Sequence, residues 1–187
     1  MESFKKEEKK ATAAPVSKKK FIHLLDTEEV ELKKLTDEDL EESVNVMKKC
    51  SFEVTPEEVK TIVDYQMSFG ATVNRMIVGV GLAWAAHFDV DKKILTTDKP
   101  NCLYLEDPAV LLAYEGRGIR RILVKEREKE AKERGFKYVV AYLSEDLPKG
   151  NVAEYIVEGG TVLEKLYLTE EYEFLKTDRG ILAFKKI

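Results

Sequence analysis

Residues 109–135 read "AVLLAYEGRGIRRILVKEREKEAKERG". An apolar run is followed by two glycines bracketing an arginine, and then by a charged stretch of helical character. A strand, a tight turn and a helix in that order expose successive backbone amides at a helix N-terminus, where the dipole also favours negative charge. The stretch either holds a phosphate or only turns a corner. A Walker P-loop would end in Gly-Lys-Ser/Thr to reach the terminal phosphates and magnesium, and that ending is missing. A dinucleotide fingerprint would place a third glycine where Arg121 stands, so that helix and strand can pack closely.

Working outward, "VELKKL" (30–35) suits a first strand, and "TDED" then supplies capping groups for a helix to about Lys49. "TPEEV" (55–59) repeats the signal, with Thr55 as N-cap, Pro56 at the first helical position and acids in the first turn. The run 70–90 is rich in β-branched and aromatic residues, with Asn74-Arg75 as a turn between two strands. Gly79 and Gly81 inside it suggest a bulge or a close backbone approach. Residues 91–101 read as a loop, 102–112 as a strand, and about 119–134 as a helix.

"YVVAYL" (138–143) is a buried strand, and "NVAEYIVE" (151–158) a short helix capped by Asn151 and ended by Gly159. "TVLEKLY" (161–167) receives no element in this reading. "YEFLK" and "GILAFKK" form a hairpin around "TDRG". The order β-α-α-β-β-β-α-β-α-β-β makes the fold mixed α/β.

A chain of 187 residues is long enough for one domain with a full core. The expected division is a disordered mixed-charge tail at 1–20 and a single domain at 21–187, with "FIHLL" (21–25) as a short edge strand. Hydrophobic residues make up 44% and charged residues 35%, a soluble globular composition. Gln66 is the only glutamine, and the Lys/Glu-rich surface matches the bias of hyperthermophile proteins. With 31 basic and 35 acidic residues the net charge is −4, which gives no overall attraction to nucleic acid or anionic membrane. The "SKKK" cluster of the tail is the one candidate nucleic-acid contact. Cys50 and Cys102 read as reduced thiols, and the location as cytoplasmic. His23 and His87 lack partners at ligand spacing, so no metal site is expected.

The stretch 109–135 resembles the acyl-CoA-binding motif of the GNAT acyltransferase superfamily, V-x-P-x-x-[RQ]-G-x-G-[IL]-[GA] followed by a helix ending in Gly. Val110, Gly116, Gly118 and Ile119 match it, Ile122 and Leu123 match the buried pair of the helix, and Gly135 matches its terminator. Leu112, Glu115 and Arg120 depart from it. The resemblance implies a GNAT-like mixed sheet, splayed at its centre and flanked by helices, and an acetyl-CoA-dependent N-acetyltransferase of primary amines. Acetyl-CoA would lie where two central strands part. Val110, Leu111 and Leu112 would face the pantetheine, and Gly116, Arg117, Gly118, Ile119, Arg120 and Arg121 the diphosphate. The other class of reading is a non-catalytic module that senses CoA or binds a protein. The oligomeric state is left open, a homodimer included.

Acyl transfer to an amine needs the amine neutral and the departing thiolate protonated. Neutralising a lysine with pKa near 10.4 at pH 7 costs roughly 4.6 kcal/mol, against about 1 kcal/mol for an α-amine. Several family members carry a catalytic glutamate in the region of Glu106, which is here either the base or an ordinary strand-end acid. Asp107, its neighbour, should point to the opposite face. The family's proton donor is commonly a Tyr on the helix after the fifth strand, preceded by a capping Asn. That implies Tyr155 as the acid and Asn151 as the cap and a cofactor contact, although their spacing is four where seven is usual. Tyr142 and Tyr172 remain alternatives, and core packing is a competing role for Tyr155. Glu106, Asp107, Glu145 and Asp146 would favour a cationic acceptor if they face one cleft.

Overall fold

Thr36 and Thr55 open the first two helices in the computed structural model, which describes residues 29–187. The tail expected at 1–20, the edge strand at 21–25 and His23 lie outside those residues. β1 (Glu31–Lys34) passes through a 3-10 turn at Asp37–Asp39 into α1 (Leu40–Lys49), and α2 (Pro56–Val63) follows. Thr55 caps α2 as its sequence predicts: its hydroxyl accepts from Glu58 N–H at 3.2 Å, and Glu58 Oε2 accepts from Thr55 N–H at 2.9 Å.

β2 (Phe69–Val73) and β3 (Met76–Gly81) pair antiparallel around Asn74 and Arg75. Both turn residues have positive φ, 50° and 69°, as a two-residue hairpin loop requires. The chain continues through β4 (Ala83–Asp89), β5 (Ile94–Thr96), β6 (Cys102–Leu105), β7 (Ala109–Val110) and α3 (Ile119–Glu133). It ends with β8 (Tyr138–Ser144), α4 (Val152–Gly159), α5 (Val162–Thr169), β9 (Glu173–Thr177) and β10 (Gly180–Lys186). The strands form two sheets, ordered β1-β2-β3-β7 and β5-β4-β6-β8-β10-β9. Only β6 and β8 run parallel among the paired strands described. The expected mixed α/β architecture with a centrally splayed sheet is therefore present.

Three expectations change. The segment read as a loop contains β5, because Lys93 takes a positive φ of 57° and folds Ile94–Thr96 back onto His87–Asp89. "TVLEKLY" is a helix, α5, opened by a capping box in which Thr161 and Glu164 exchange bonds of 2.8 and 3.2 Å. The strand at 102–112 is two short strands in different sheets, parted at residues 106–108.

β3 shows why helices settle on both faces of the first sheet. Val80 and Leu82 join Leu35, Val44, Met47, Val59 and Val63 in the core under α1 and α2. Gly79 and Gly81 turn toward α3. A Cβ on Gly79 would lie 2.9 Å from Ile119 Cγ2, and one on Gly81 would lie 3.0 Å from Arg127 Nε. Both glycines thus serve the close approach that their place in a strand suggests. Among the described residues no helix is long and apolar enough to cross a membrane, and both cysteines are free thiols.

Candidate functional site

The site begins where two strands change sheets. β6 pairs with β8 only from Cys102 to Tyr104, opposite Tyr138 to Val140. Glu106 N–H still reaches Leu82 O at 3.1 Å, but Pro108 has no N–H to extend the ladder. Ala109 and Val110 instead pair with Val80 and Gly79 of the other sheet. β7 is an edge strand there, so beyond Val140 a wedge opens between it and β8. Leu111 N–H donates to Val78 O at 2.9 Å, which turns the preceding Val110 carbonyl away from β3. Cys50 Sγ donates to that carbonyl at 3.2 Å.

The wedge leads to the loop before α3. Gly116 and Gly118 have φ of 78° and 76°, with nothing within 4 Å of a Cβ built on either. This left-handed pair needs glycine for its backbone conformation alone. It leads into the N-terminus of α3 beside a cleft of about 360 Å³ lined by Val110, Gly116, Gly118, Ile119, Arg120 and Arg121, and by Val162, Lys165 and Leu166 of α5. Arg120 pairs with Glu115, and Arg121 and Lys125 pair with Glu170 at 3.0 and 2.7 Å. Leu111, Leu112 and Arg117 do not line this cleft; Leu112 is 88% exposed, and the Arg117 guanidinium lies 5.1 Å from the Tyr114 ring centroid.

A second cleft, about 380 Å³, lies at the other side of the strand break. Met47, Phe52, Val54, Val59, Ile62 and Leu82 form its apolar walls, and Glu53, Glu58 and Glu106 are its only charged lining groups among the described residues. Trp84 Nε1 donates to Glu106 Oε1 at 2.8 Å and fixes that carboxylate. Asp107 is pushed up to about 6, first by burial and then by the Glu106 charge, while Arg127 and Arg120 act to lower it. Glu145 and Asp146 are exposed and line neither cleft.

The tyrosines divide sharply. Tyr155 is 37% exposed on α4 and lines neither cleft. Asn151 caps that helix, its Oδ1 accepting from Glu154 N–H at 3.2 Å, and it too is absent from both linings. Tyr172 donates to Glu128 Oε1 at 2.9 Å, and Tyr142 N–H donates to Tyr104 Oη at 3.4 Å. Tyr167 lines neither cleft either, but it is wholly buried on α5, and its hydroxyl has no hydrogen-bond partner among the described residues. Burial raises its pKa, with Arg127 opposing and the Asp107, Glu128 and Glu106 charges adding. Sequence reasoning missed it because α5 was unassigned; the signal was the Thr161-x-x-Glu164 box ahead of "KLYL". No three His, Cys, Asp or Glu side chains among the described residues gather for a metal ion.

Residues 29–154, more than half of the chain, match the acetyltransferase (GNAT) family. The chain belongs to that family. Among curated proteins none matches the sequence. Solved structures similar to this GNAT chain include the loading GNATL domain of CurA from Lyngbya majuscula, at 18% identity and a TM-score of 0.64, covering 84% of this chain and 98% of that one. A GNAT family acetyltransferase from Brucella melitensis, solved with acetyl-CoA, has 15% identity and a TM-score of 0.54 over 86% and 89%. The paia N-acetyltransferase from Thermoplasma acidophilum, solved with coenzyme A, has 17% identity and a TM-score of 0.58 over 85% and 99%. At these identities the likeness is one of fold. The matched GNAT region ends in α4, so Tyr167 lies beyond it.

Proposed function

We propose that this GNAT-family chain transfers the acetyl group of acetyl-CoA to a primary amine. The observation that carries the reading is the left-handed Gly116–Gly118 turn, which leads into the N-terminus of α3 beside a cleft that also reaches Val110 on β7. That cradle fits a diphosphate without demanding particular side chains, and similar folds were solved with acetyl-CoA or coenzyme A. Acetyl-CoA would supply the activated acetyl thioester. Gly116, Gly118, Ile119, Arg120 and Arg121 would hold the diphosphate, and the edge of β7 at Val110, whose carbonyl already accepts from Cys50 Sγ, would meet the pantetheine.

The second cleft would take the amine. Among the described residues three carboxylates and no basic group line it, beside apolar walls, which suits an ammonium carried on an apolar stem. Glu106, held by Trp84, takes the proton the amine must lose. Tyr167 gives the proton the departing sulfur must gain, a role its buried and unpaired hydroxyl is free to fill.

Denaturation with and without acetyl-CoA tests binding. Ligand at 100 times its dissociation constant should stabilise the fold by about 2.7 kcal/mol, and no stabilisation at millimolar ligand would sink the proposal. Release of free thiol across a panel of amines and peptides then tests transfer. Binding without release from any of them would leave a CoA-binding module.

A further inference from the structure

Arg127 is wholly buried in the middle of α3, an expensive place for a guanidinium. Its hydrogen bonds all go to backbone carbonyls. Nε donates to Leu123 O at 3.0 Å within the helix, and Nη1 donates to Leu82 O at 2.7 Å and to Glu106 O at 2.8 Å. Those two carbonyls mark two of the three places where the chain changes sheets, the third being the return from β7 to β8 through α3. Leu82 joins β3 to β4, and Glu106 starts the passage from β6 to β7. Where a regular sheet would offer Glu106 O a neighbouring strand, the splay offers none, and a side chain from α3 takes its place. Gly81 makes this fit, since a Cβ there would lie 3.0 and 3.1 Å from Arg127 Nε and Cζ.

Leu82 and Glu106 also line the acid-bearing cleft, so Arg127 grips its floor from behind. The same helix begins at the glycine turn, eight residues and roughly 12 Å away. One rigid element therefore joins the phosphate loop to the strand end that carries Glu106. We infer that Arg127 is a positioning residue, which holds Glu106 at a fixed place relative to the phosphate loop; its catalytic consequence rests on the acyl-transfer reading above.

The test compares Arg127→Met and Arg127→Lys with wild type, each checked for a cooperative melt. Trp84 is the only tryptophan and is bonded to Glu106, so its emission reports the carboxylate without need of activity. Arg127→Met should shift that emission, keep the acetyl-CoA dissociation constant within about threefold, and lower kcat about 100-fold with little change in KM. Lysine should restore part of kcat, because it can still donate to carbonyls but lacks the planar fork. If Arg127→Met does not fold, Gly81→Ala displaces the guanidinium from the opposite side and should give the same pattern.

Unchanged Trp84 emission in a folded variant would overturn the inference, as would a kcat loss matched by an equal loss of acetyl-CoA affinity. If wild type acetylates no amine while Arg127→Met still shifts the emission, the transfer reading falls and the placement of Glu106 by Arg127 is upheld.

Discussion

Glu115 in the loop and Arg120 in the first turn of α3 are two positions where this chain departs from the usual GNAT residues, and each is the other's partner. An arginine free at a phosphate site can add a charge-assisted bond of about 1.5–3 kcal/mol. Here the arginine must first leave a half-exposed carboxylate, a pair worth about 0.2–1 kcal/mol. Glu115→Gln should therefore tighten coenzyme A binding about two- to fivefold, most visibly at low salt, in a calorimetric titration. An unchanged affinity would place Arg120 outside the phosphate's reach. The two departures were legible as a sign change along the sequence. Their mutual pairing was not, because residues five apart across a glycine turn meet only when that turn has its particular left-handed shape.

At the scale of elements, the wedge and α5 together make the cleft. Pro108, which has no N–H to extend a ladder, stands where the strand expected at 102–112 breaks, and that break is a passage between sheets. α5 then brings Tyr167 beneath that passage, whereas α4 leaves Tyr155 at the surface. An unpaired buried hydroxyl contributes nothing to stability and its removal is nearly neutral or favourable. Tyr167→Phe should accordingly leave Tm unchanged or slightly raised while lowering kcat about 10- to 100-fold, the usual range for loss of an acid catalyst at its lower end. Tyr155→Phe in the same thiol-release assay should retain wild-type kcat. The reverse pattern would return the role to Tyr155, and unchanged rates in both would remove tyrosine from the proton transfer.

The whole molecule feels the site through its response to pH. Asp107 rises to about 6 in the fold, by burial first, and so binds its proton more tightly folded than unfolded. Its stabilising contribution is complete below the unfolded value near 4 and is lost as pH climbs through 6. Glu170, held below the ordinary carboxylate range first by its bond to Lys125, runs the other way, its contribution being present above the unfolded value and lost on acidification. Asp107→Asn should then stabilise the chain at pH 7 by about 1–2 kcal/mol, the full linkage value of about 3 kcal/mol being reduced by solvent at a partly exposed group. At pH 4 the gain should vanish. Urea unfolding at the two pH values measures this, and an equal gain at both would show that the ionised carboxylate is not the costly species.

Read alone, the sequence determined the caps at Thr55 and Asn151, the hairpin at Asn74-Arg75 and the glycine turn before α3. These are local matters, decided by φ preferences, capping groups and periodicity within a few residues. The tertiary structure decided what those elements face: that Glu106 shares a cleft with Glu53 and Glu58, that Arg127 bonds two strand ends, and that Tyr167 is buried with its hydroxyl unpaired. Each of these joins residues distant in the chain, and such meetings follow from how sheets part and helices pack, which no local preference encodes.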